Sequence, residues 1–204
     1  MSDPISGTLP RFVYNSLLLG SASYAAWCID SDTYPCAFAA CVVGGVSALV
    51  GILRALFGSG QAEEYRKLRD VNSGVLELVP LPLVNIDLYA ESQGMGALAL
   101  GHCVFVVALS FDLGCSLAKD RKDCDISEML RDLTVMGNII SLGFLAFMER
   151  NFIYVRMALI MGVMKYGSLF VDSIHEGVGE DLQVLGTAIF LYWTAKAFNA
   201  DLTD

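Results

Sequence analysis

VLELVPLPLVNIDLYAESQGMGALALGHCVFVVALSF, residues Val75–Phe111, contains two consecutive apolar runs with charged sequence on either side. The first run, 75–89, is interrupted by prolines and polar residues, namely Glu77, Pro80, Pro82, Asn85 and Asp87. Each proline removes a helical hydrogen bond, and irregular backbone at membrane depth persists only where it is buried in protein or faces water. The first run therefore predicts either an interfacial segment or a broken, re-entrant segment. The second run, 94–111, predicts a short helical span.

The rest of the chain consists of apolar blocks joined by short polar loops. Of the 204 residues, 55% are hydrophobic and 17% are charged, whereas soluble domains usually contain about 25% charged residues. A membrane-crossing helix needs about 20 mostly apolar residues, and five further blocks approach that length: 12–29, 36–57, 133–148, 152–171 and 182–198. The sequence predicts an all-α fold with one integral-membrane domain over 1–204. This domain is a polytopic bundle of about five or six transmembrane helices, with the broken or re-entrant piece at 75–89.

Two charged loops, 58–74 and 112–132, determine the expected orientation. They carry seven of the 13 Lys and Arg residues, and such residues concentrate in loops on the cytoplasmic side of a membrane. A single crossing between the loops would put them on opposite sides. We therefore expect 75–111 to form a hairpin with its turn at Glu91–Gly96. The alternative keeps 75–89 at the surface and leaves one positive loop on the opposite side.

The block 36–57 contains two series of small residues spaced four apart. They are Ala40, Gly44 and Ala48, and Ser47, Gly51 and Ala55. Small residues at this spacing let helices approach closely, so this face predicts a tight bundle or contact with a partner helix. The same spacing recurs more weakly at Ala97/Gly101, Gly137/Ser141 and Ala158/Gly162.

Four ionisable residues within apolar sequence are candidates for chemistry: Asp87, His102, Arg156 and Lys165. An ionisable group inside a membrane is a functional hypothesis by default. Arg156 and Lys165, however, lie near opposite ends of one block. They can therefore snorkel toward the two interfaces or pair with Glu149 or Asp172. A path for an ion or a substrate is the alternative.

His102 and Asp87 each allow two interpretations. The histidine could relay protons or bind metal or haem, but the only other histidine, His175, lies in a loop. We therefore favour a neutral imidazole that is hydrogen-bonded to a neighbouring helix. In a transporter, Asp87 would face a polar cavity and bind a coupling ion. In a structural protein it would lie near the interface, hydrated or paired with Arg or Lys.

Several motifs are absent from the sequence. It contains no CxxC pair, GxSxG, HExxH, GxGxxG or Walker A motif, so we expect neither catalysis nor a bound metal or cofactor. Cys28 and Cys36 bracket a short loop and could pair in an oxidising lumen. Small apolar residues at helix ends are the simpler interpretation. The net charge of −9 argues against nucleic-acid binding.

Two functions remain open. The first is a non-catalytic structural or accessory subunit, with the lipid bilayer and other membrane subunits as partners. Its small-residue faces and its lack of catalytic motifs favour this interpretation. The alternative is a small transporter or channel built on the Pro-broken segment at 75–89. The expected location is an endomembrane resembling the endoplasmic reticulum, or the mitochondrial inner membrane.

Overall fold

The computed structural model describes residues 8–57, 63–117, 125–173 and 178–199. Within these ranges the protein is all-helical and has no strands, which confirms the predicted class. The α-helices are α1 (Thr8–Cys28), α2 (Pro35–Phe57), α3 (Glu63–Leu78), α4 (Pro80–Glu91), α5 (Gly96–Ala99), α6 (Phe105–Leu117), α7 (Asp125–Glu149), α8 (Phe152–Asp172) and α9 (Val178–Phe198). A 3-10 helix, Leu100–Val104, joins α5 to α6.

Four helical stretches of the described chain are long and apolar enough to cross a membrane. They are Pro35–Phe57, Lys67–Glu91, Gly96–Cys115 and Ile126–Glu149. Their length and composition indicate a membrane protein. The predicted blocks 12–29, 152–171 and 182–198 are helical as well, in α1, α8 and α9. The number of crossings and their orientation remain predictions.

Helices α3 and α4 form one kinked element at the centre of the bundle. The backbone N–H of Val79 donates to the carbonyl of Val75 at 3.0 Å, and the carbonyl of Val79 accepts from the N–H of Leu83 at 3.3 Å. Helical hydrogen bonding therefore continues through the bend. Pro80 occupies the first position of α4, where its missing N–H does no harm. The element contacts α2, α6, α7 and α9. Residues 75–89, which the sequence predicts to be interfacial or re-entrant, are therefore helical and packed among other helices.

A tight turn reverses the chain after α4. Gly94 adopts a left-handed conformation there, with φ +76°, which glycine tolerates without strain. The chain returns through α5 and α6, and α6 packs against α3. At the end of this pair away from the turn, a Cβ on Gly74 of α3 would collide with the carboxylate of Asp112 in α6. The ends of both charged loops thus meet at one end of the bundle.

The small residues of α2 face other helices of the same chain. Ala40, Gly44, Ala48 and Gly51 are buried, and Ala55 is half-buried. A Cβ on Gly44 would lie 2.6 Å from Cδ1 of Leu191 in α9, and one on Gly51 would collide with the Asn15 amide of α1. This face therefore packs inside a tight bundle, which is one of the two arrangements predicted.

Candidate functional site

A cluster of charged side chains lies where α3, α6, α7 and α8 meet. This charged cluster comprises Glu77, Asp112, Arg131, Asp132 and Lys165. Lys165, whose side chain is only 9% exposed, donates to the carboxylate of Glu77 and to Oδ1 of Asp132, the latter at 2.5 Å. A buried ammonium group is tolerated only when it is paired and hydrogen-bonded, and the two carboxylates provide both kinds of contact.

The charged cluster borders a cavity of about 550 Å³. The residues that line it come from α3, α7, α8 and α9, and they are Arg69, Asp70, Ser73, Glu77, Arg131, Val135, Met161, Met164, Lys165, Ser168, Gly179, Glu180 and Gln183. Arg69 at its rim is 46% exposed, so the cavity reaches the protein surface. Its volume falls within the range of roughly 300–1,000 Å³ that is usual for small-molecule sites.

Arg131 is loosely held compared with Lys165. Its Nε lies 3.4 Å from Oε2 of Glu77, and its Nη1 lies 3.7 Å from Oδ1 of Asp112. Charge-assisted hydrogen bonds are usually about 2.7–2.9 Å long. The Nε atom is buried and makes no hydrogen bond within the described part of the chain. Arg131 therefore has unused donor capacity on the cavity wall.

A second, neutral polar cluster lies further along the same helices. This amide cluster comprises Asn85, Tyr89, His102, Asn138 and Ser141. Nδ1 of His102 lies 2.7 Å from Oδ1 of Asn138, and Asn85 donates to the same oxygen at 3.1 Å. Tyr89 donates to the backbone carbonyl of Ser141 at 2.9 Å. His102 thus has the expected hydrogen bond to a neighbouring helix, α7.

The hydrogen-bond pattern assigns the proton on one nitrogen of His102. Because the Asn138 oxygen is an acceptor, Nδ1 must be the donor to it. Nε2 lies 3.3 Å from Oγ of Ser141, and that hydroxyl also donates to the hydroxyl of Tyr89 at 2.8 Å. Oδ1 of Asn85 is buried and has no partner among the described residues. The cluster therefore keeps one unsatisfied acceptor in the protein interior.

Apolar side chains separate the two polar clusters. This apolar layer comprises Leu78, Val79, Phe105, Ala108 and Val135, all at most 7% exposed. Along α3 and α4, Leu78 and Val79 lie between Glu77 and Asn85. Along the return segment, Phe105 and Ala108 lie between His102 and Asp112.

The same order holds on α7, where Val135 lies between Arg131 and Asn138. Three neighbouring helical segments thus place a charged residue, an apolar residue and an amide-cluster residue in the same succession. From Arg131 to Ser141 the distance along α7 is about 15 Å. The arrangement is a stack of three layers, with the cavity at its charged end.

The family described as "Domain of unknown function (DUF4791)" matches residues 32–198. The chain belongs to this family. Comparison with curated proteins and with solved structures found no match to the chain. The DUF4791 match contains all three layers, whereas α1 precedes it. The cavity and the stack therefore lie within the family domain.

Asp87 lies against the start of α2. It is 6% exposed, and its Oδ2 accepts a 2.7 Å hydrogen bond from the backbone N–H of Ala37. The carboxylate therefore caps the first turn of α2 from a distance of 50 residues, in the way that acceptors usually satisfy helix N-termini. Its partner is a backbone amide rather than a cation or an open cavity.

The turn before α2 also contacts the end of α4. The Tyr34 hydroxyl donates to the carboxylate of Glu91 at 3.0 Å. Burial, together with this nearby carboxylate, raises the pKa of Tyr34. The tyrosine therefore stays a neutral donor, and the contact connects the start of α2 to the end of α4.

Of the two basic candidates on α8, Lys165 lines the cavity and Arg156 lies apart from it. The guanidinium of Arg156 is 4.7 Å from the centre of the Trp193 ring, a cation–π contact on the outer part of the bundle. Lys165 pairs with Glu77 and Asp132 rather than with Glu149, one of the two partners proposed from the sequence. The side chain of the other, Asp172, lies outside the described part of the structure. Cys28 and Cys36 are free thiols. Cys124 and His175 lie outside the described residues.

Sequence reasoning missed the roles of Glu77 and Arg131 in this DUF4791 domain. Arg131 served only as an orientation signal, and Glu77 only as evidence against a lipid-exposed span. The available signal was the spacing on α7, where Arg131, Val135, Asn138 and Ser141 recur three or four residues apart. That spacing places all four on one helix face, and it could have been read as a polar path interrupted by one apolar residue.

Proposed function

We propose that this protein is a small membrane transport protein. Its solute path begins in the cavity at the charged cluster and crosses the apolar layer to the amide cluster. The main support for this proposal is that charged, apolar and amide-cluster residues follow one another in the same order on α3–α4, on the return segment and on α7. Ionisable side chains inside a membrane bundle are expensive and usually mark substrate or ion pathways, and binding sites of many transporters lie at interrupted helices.

The kink at Val79 gives the path a place where it can open. Val79 belongs to the apolar layer, and Pro80 and Pro82 follow it directly. Each proline lacks an N–H donor, so bending at this point breaks fewer hydrogen bonds than bending elsewhere in the helix. In the present conformation the apolar layer closes the path below the cavity. Straightening or further bending of α3 against α4 would separate Val79 from Phe105 and Val135.

Uptake by reconstituted vesicles tests this proposal. Vesicles that contain the full chain are incubated with a mixture of isotope-labelled small metabolites, and their contents are analysed by mass spectrometry. We expect at least one solute to accumulate above the level in protein-free vesicles. Lys165→Met should abolish that uptake, and Arg156→Gln on the same helix should retain it. Folded wild-type protein that loads no solute would contradict transport.

An accessory-subunit function is the second candidate, and glycines on the outer surface favour it. Among the described residues, a Cβ on Gly101, Gly137 or Gly162 would meet no atom within 4 Å, so these three glycines are not used for packing inside the described part of the chain. Gly101 and Gly137 are exposed and would let a partner helix approach closely. The endomembrane or mitochondrial inner-membrane location proposed from the sequence suits either function.

Complex size in mild detergent tests the second candidate. Gly137→Leu should reduce the mass of the assembly isolated from cells, because the larger side chain holds the partner helix away. Ile140→Leu on the same exposed side of α7 is the matched control and should leave the mass unchanged. A wild-type protein that runs as a single chain under these conditions would exclude the accessory function.

A further inference from the structure

We infer that the cavity binds a small zwitterion of the amino-acid type, with its carboxylate on Arg131 and its ammonium group on Glu77. This inference names the substrate class for the proposed transport function and rests on it. Four features support it: the charge balance of the lining, the loose contacts of Arg131, the position of Lys165 and the apolar part of the wall.

The lining carries equal numbers of opposite charges. Its acids are Asp70, Glu77 and Glu180, and its bases are Arg69, Arg131 and Lys165. A ligand with a single charge would approach like charges on one side of the cavity, which disfavours it. A zwitterion presents both signs and leaves the net charge of the site unchanged. The balance therefore selects against simple anions, phosphates and simple amines.

Arg131 provides the carboxylate site. Its two ion pairs are 3.4 and 3.7 Å long, and its buried Nε donates no hydrogen bond within the described structure. The planar guanidinium group binds carboxylates through two parallel hydrogen bonds. A ligand carboxylate at normal distance would replace two long contacts with two short ones. The geometry around Arg131 therefore favours an incoming carboxylate.

Glu77 provides the ammonium site because Lys165 has a second partner. Lys165 bonds to both Glu77 and Asp132. When a ligand ammonium takes over Glu77, Lys165 remains paired with Asp132, whose side chain is 58% exposed. Lys165 is not left unpaired during this exchange, so the large penalty for an isolated buried cation is avoided, and Asp112 keeps its hydrogen bond from Ser127. The lysine thus holds the ammonium position while the site is empty.

The apolar wall accommodates a hydrocarbon side chain on the ligand. Val135, Met161 and Met164 line the cavity beside Lys165 and Arg131. Methionine side chains are flexible and polarisable, so they adapt to apolar groups of different shape. The volume of about 550 Å³ exceeds the size of glycine. We therefore expect amino acids with apolar side chains to bind more tightly than glycine.

Binding to the purified full chain in detergent tests the inference without requiring transport. Leucine is compared with 4-methylpentanoate, which lacks the ammonium group, and with 3-methylbutylamine, which lacks the carboxylate. Affinity is measured by calorimetry and by the shift of the thermal unfolding midpoint. Leucine should bind about tenfold more tightly than either analogue, since each lost charge-assisted contact is worth that factor or more. Equal binding of the three, or no leucine binding at millimolar concentration, would overturn the inference.

Two variants check the assignment of the groups. Arg131→Gln should weaken leucine binding about tenfold and leave binding of the amine unchanged, whereas Arg156→Gln should change neither. If Arg131→Gln does not fold, Met161→Trp fills the cavity from its apolar side and should remove leucine binding while keeping the unfolding midpoint measurable. Leucine binding that persists in Met161→Trp would contradict this site.

Failure of the inference can be distinguished from failure of the transport proposal. Leucine binding without vesicle uptake would retain the zwitterion site and remove transport. Uptake of a solute that is not a zwitterion, with no leucine binding, would retain transport and overturn the substrate class.

Discussion

The charged cluster and the amide cluster use the same helices but differ in how firmly their groups are held. In the amide cluster, Oδ1 of Asn138 accepts hydrogen bonds from Nδ1 of His102 at 2.7 Å and from the side-chain amide of Asn85 at 3.1 Å. All five side chains of this cluster can be uncharged. In the charged cluster, Arg131 makes contacts of 3.4 and 3.7 Å beside a cavity. The amide cluster positions the helices, whereas the charged cluster has contacts that a ligand can exchange.

Burial explains this difference. Asn85 is fully buried, and His102 is 8% exposed. A polar group at such sites must find its partners inside the protein. Asp132 is 58% exposed, so water can replace its partner at little energetic expense. Exchangeable contacts therefore gather at the open end of the stack, and fixed contacts gather in its interior.

The largest expected effect comes from Glu77→Gln. This change removes the carboxylate that Lys165 and Arg131 share and leaves two cations facing an amide. Breaking a buried ion pair costs roughly 3–5 kcal/mol, and we expect a loss of unfolding free energy near the lower end. Denaturant titration in detergent measures it. Asp132→Asn is the matched control, and it should cost less than about 1 kcal/mol. Equal losses would show that the two carboxylates hold Lys165 equally.

Asn138→Leu should have the next largest effect. The variant removes the side-chain acceptor that His102 and Asn85 share and leaves the buried Nδ1–H of His102 without it, whereas Asn85 keeps its bond to the backbone carbonyl of residue 138. We expect a loss of about 1–2 kcal/mol in unfolding free energy. Ser110→Ala removes only a bond to the same helix on an exposed face and should be nearly neutral. A neutral Asn138→Leu would mean that the amide cluster does not hold α7 to α4.

Val135→Asn tests whether the apolar layer keeps the two clusters apart. A polar side chain there would join them and lower the barrier for water and protons. We expect proton leak across reconstituted vesicles to rise severalfold, with a stability loss on the order of 1 kcal/mol. A pH-sensitive dye inside the vesicles reports the leak. Val135→Leu keeps the layer apolar and should not leak. Unchanged leak in the asparagine variant would place the path elsewhere.

Arg156→Gln should have the smallest effect. The cation–π contact with Trp193 lies on an exposed part of α8, where such contacts contribute about 0.5–1 kcal/mol. Thermal unfolding should therefore shift only slightly. Lys165→Gln on the same helix should destabilise the protein more, because it removes the cation that pairs with both Glu77 and Asp132. Similar losses of stability in Arg156→Gln and Lys165→Gln would contradict the conclusion that the paired interior cation matters more than the exposed one.

Local sequence signals predicted the helices well. The predicted blocks 133–148 and 152–171 both lie within helices, α7 and α8, and only residues 150 and 151 separate the two. Small residues on α2 correctly indicated close packing, because glycine spacing is a local property of a helix. Which helices would fill that face could not be read from the sequence, since Leu191 lies far along the chain.

The site itself was less predictable. Lys165 and Glu77 are 88 residues apart, and nothing in their local sequence indicates that they meet. Pro80 and Pro82 left two alternatives open, an interfacial segment or a broken, re-entrant one. At the start of α4 the missing donors are tolerated, and the segment is a kinked helix packed among other helices. Pairings across the bundle depend on the topology of the kinked helix, which local patterns do not contain.

The cap that Asp87 provides has a consequence for the biogenesis of the protein. Pro35 has no N–H to offer, and the Ala37 N–H at the same helix end bonds to a carboxylate 50 residues later in the chain. While a ribosome synthesises the chain, α2 emerges before α4 does. Its first turn must remain hydrated, or be shielded by the insertion machinery, until Asp87 arrives. The start of α2 therefore completes its hydrogen bonding only when the central kinked helix has joined it.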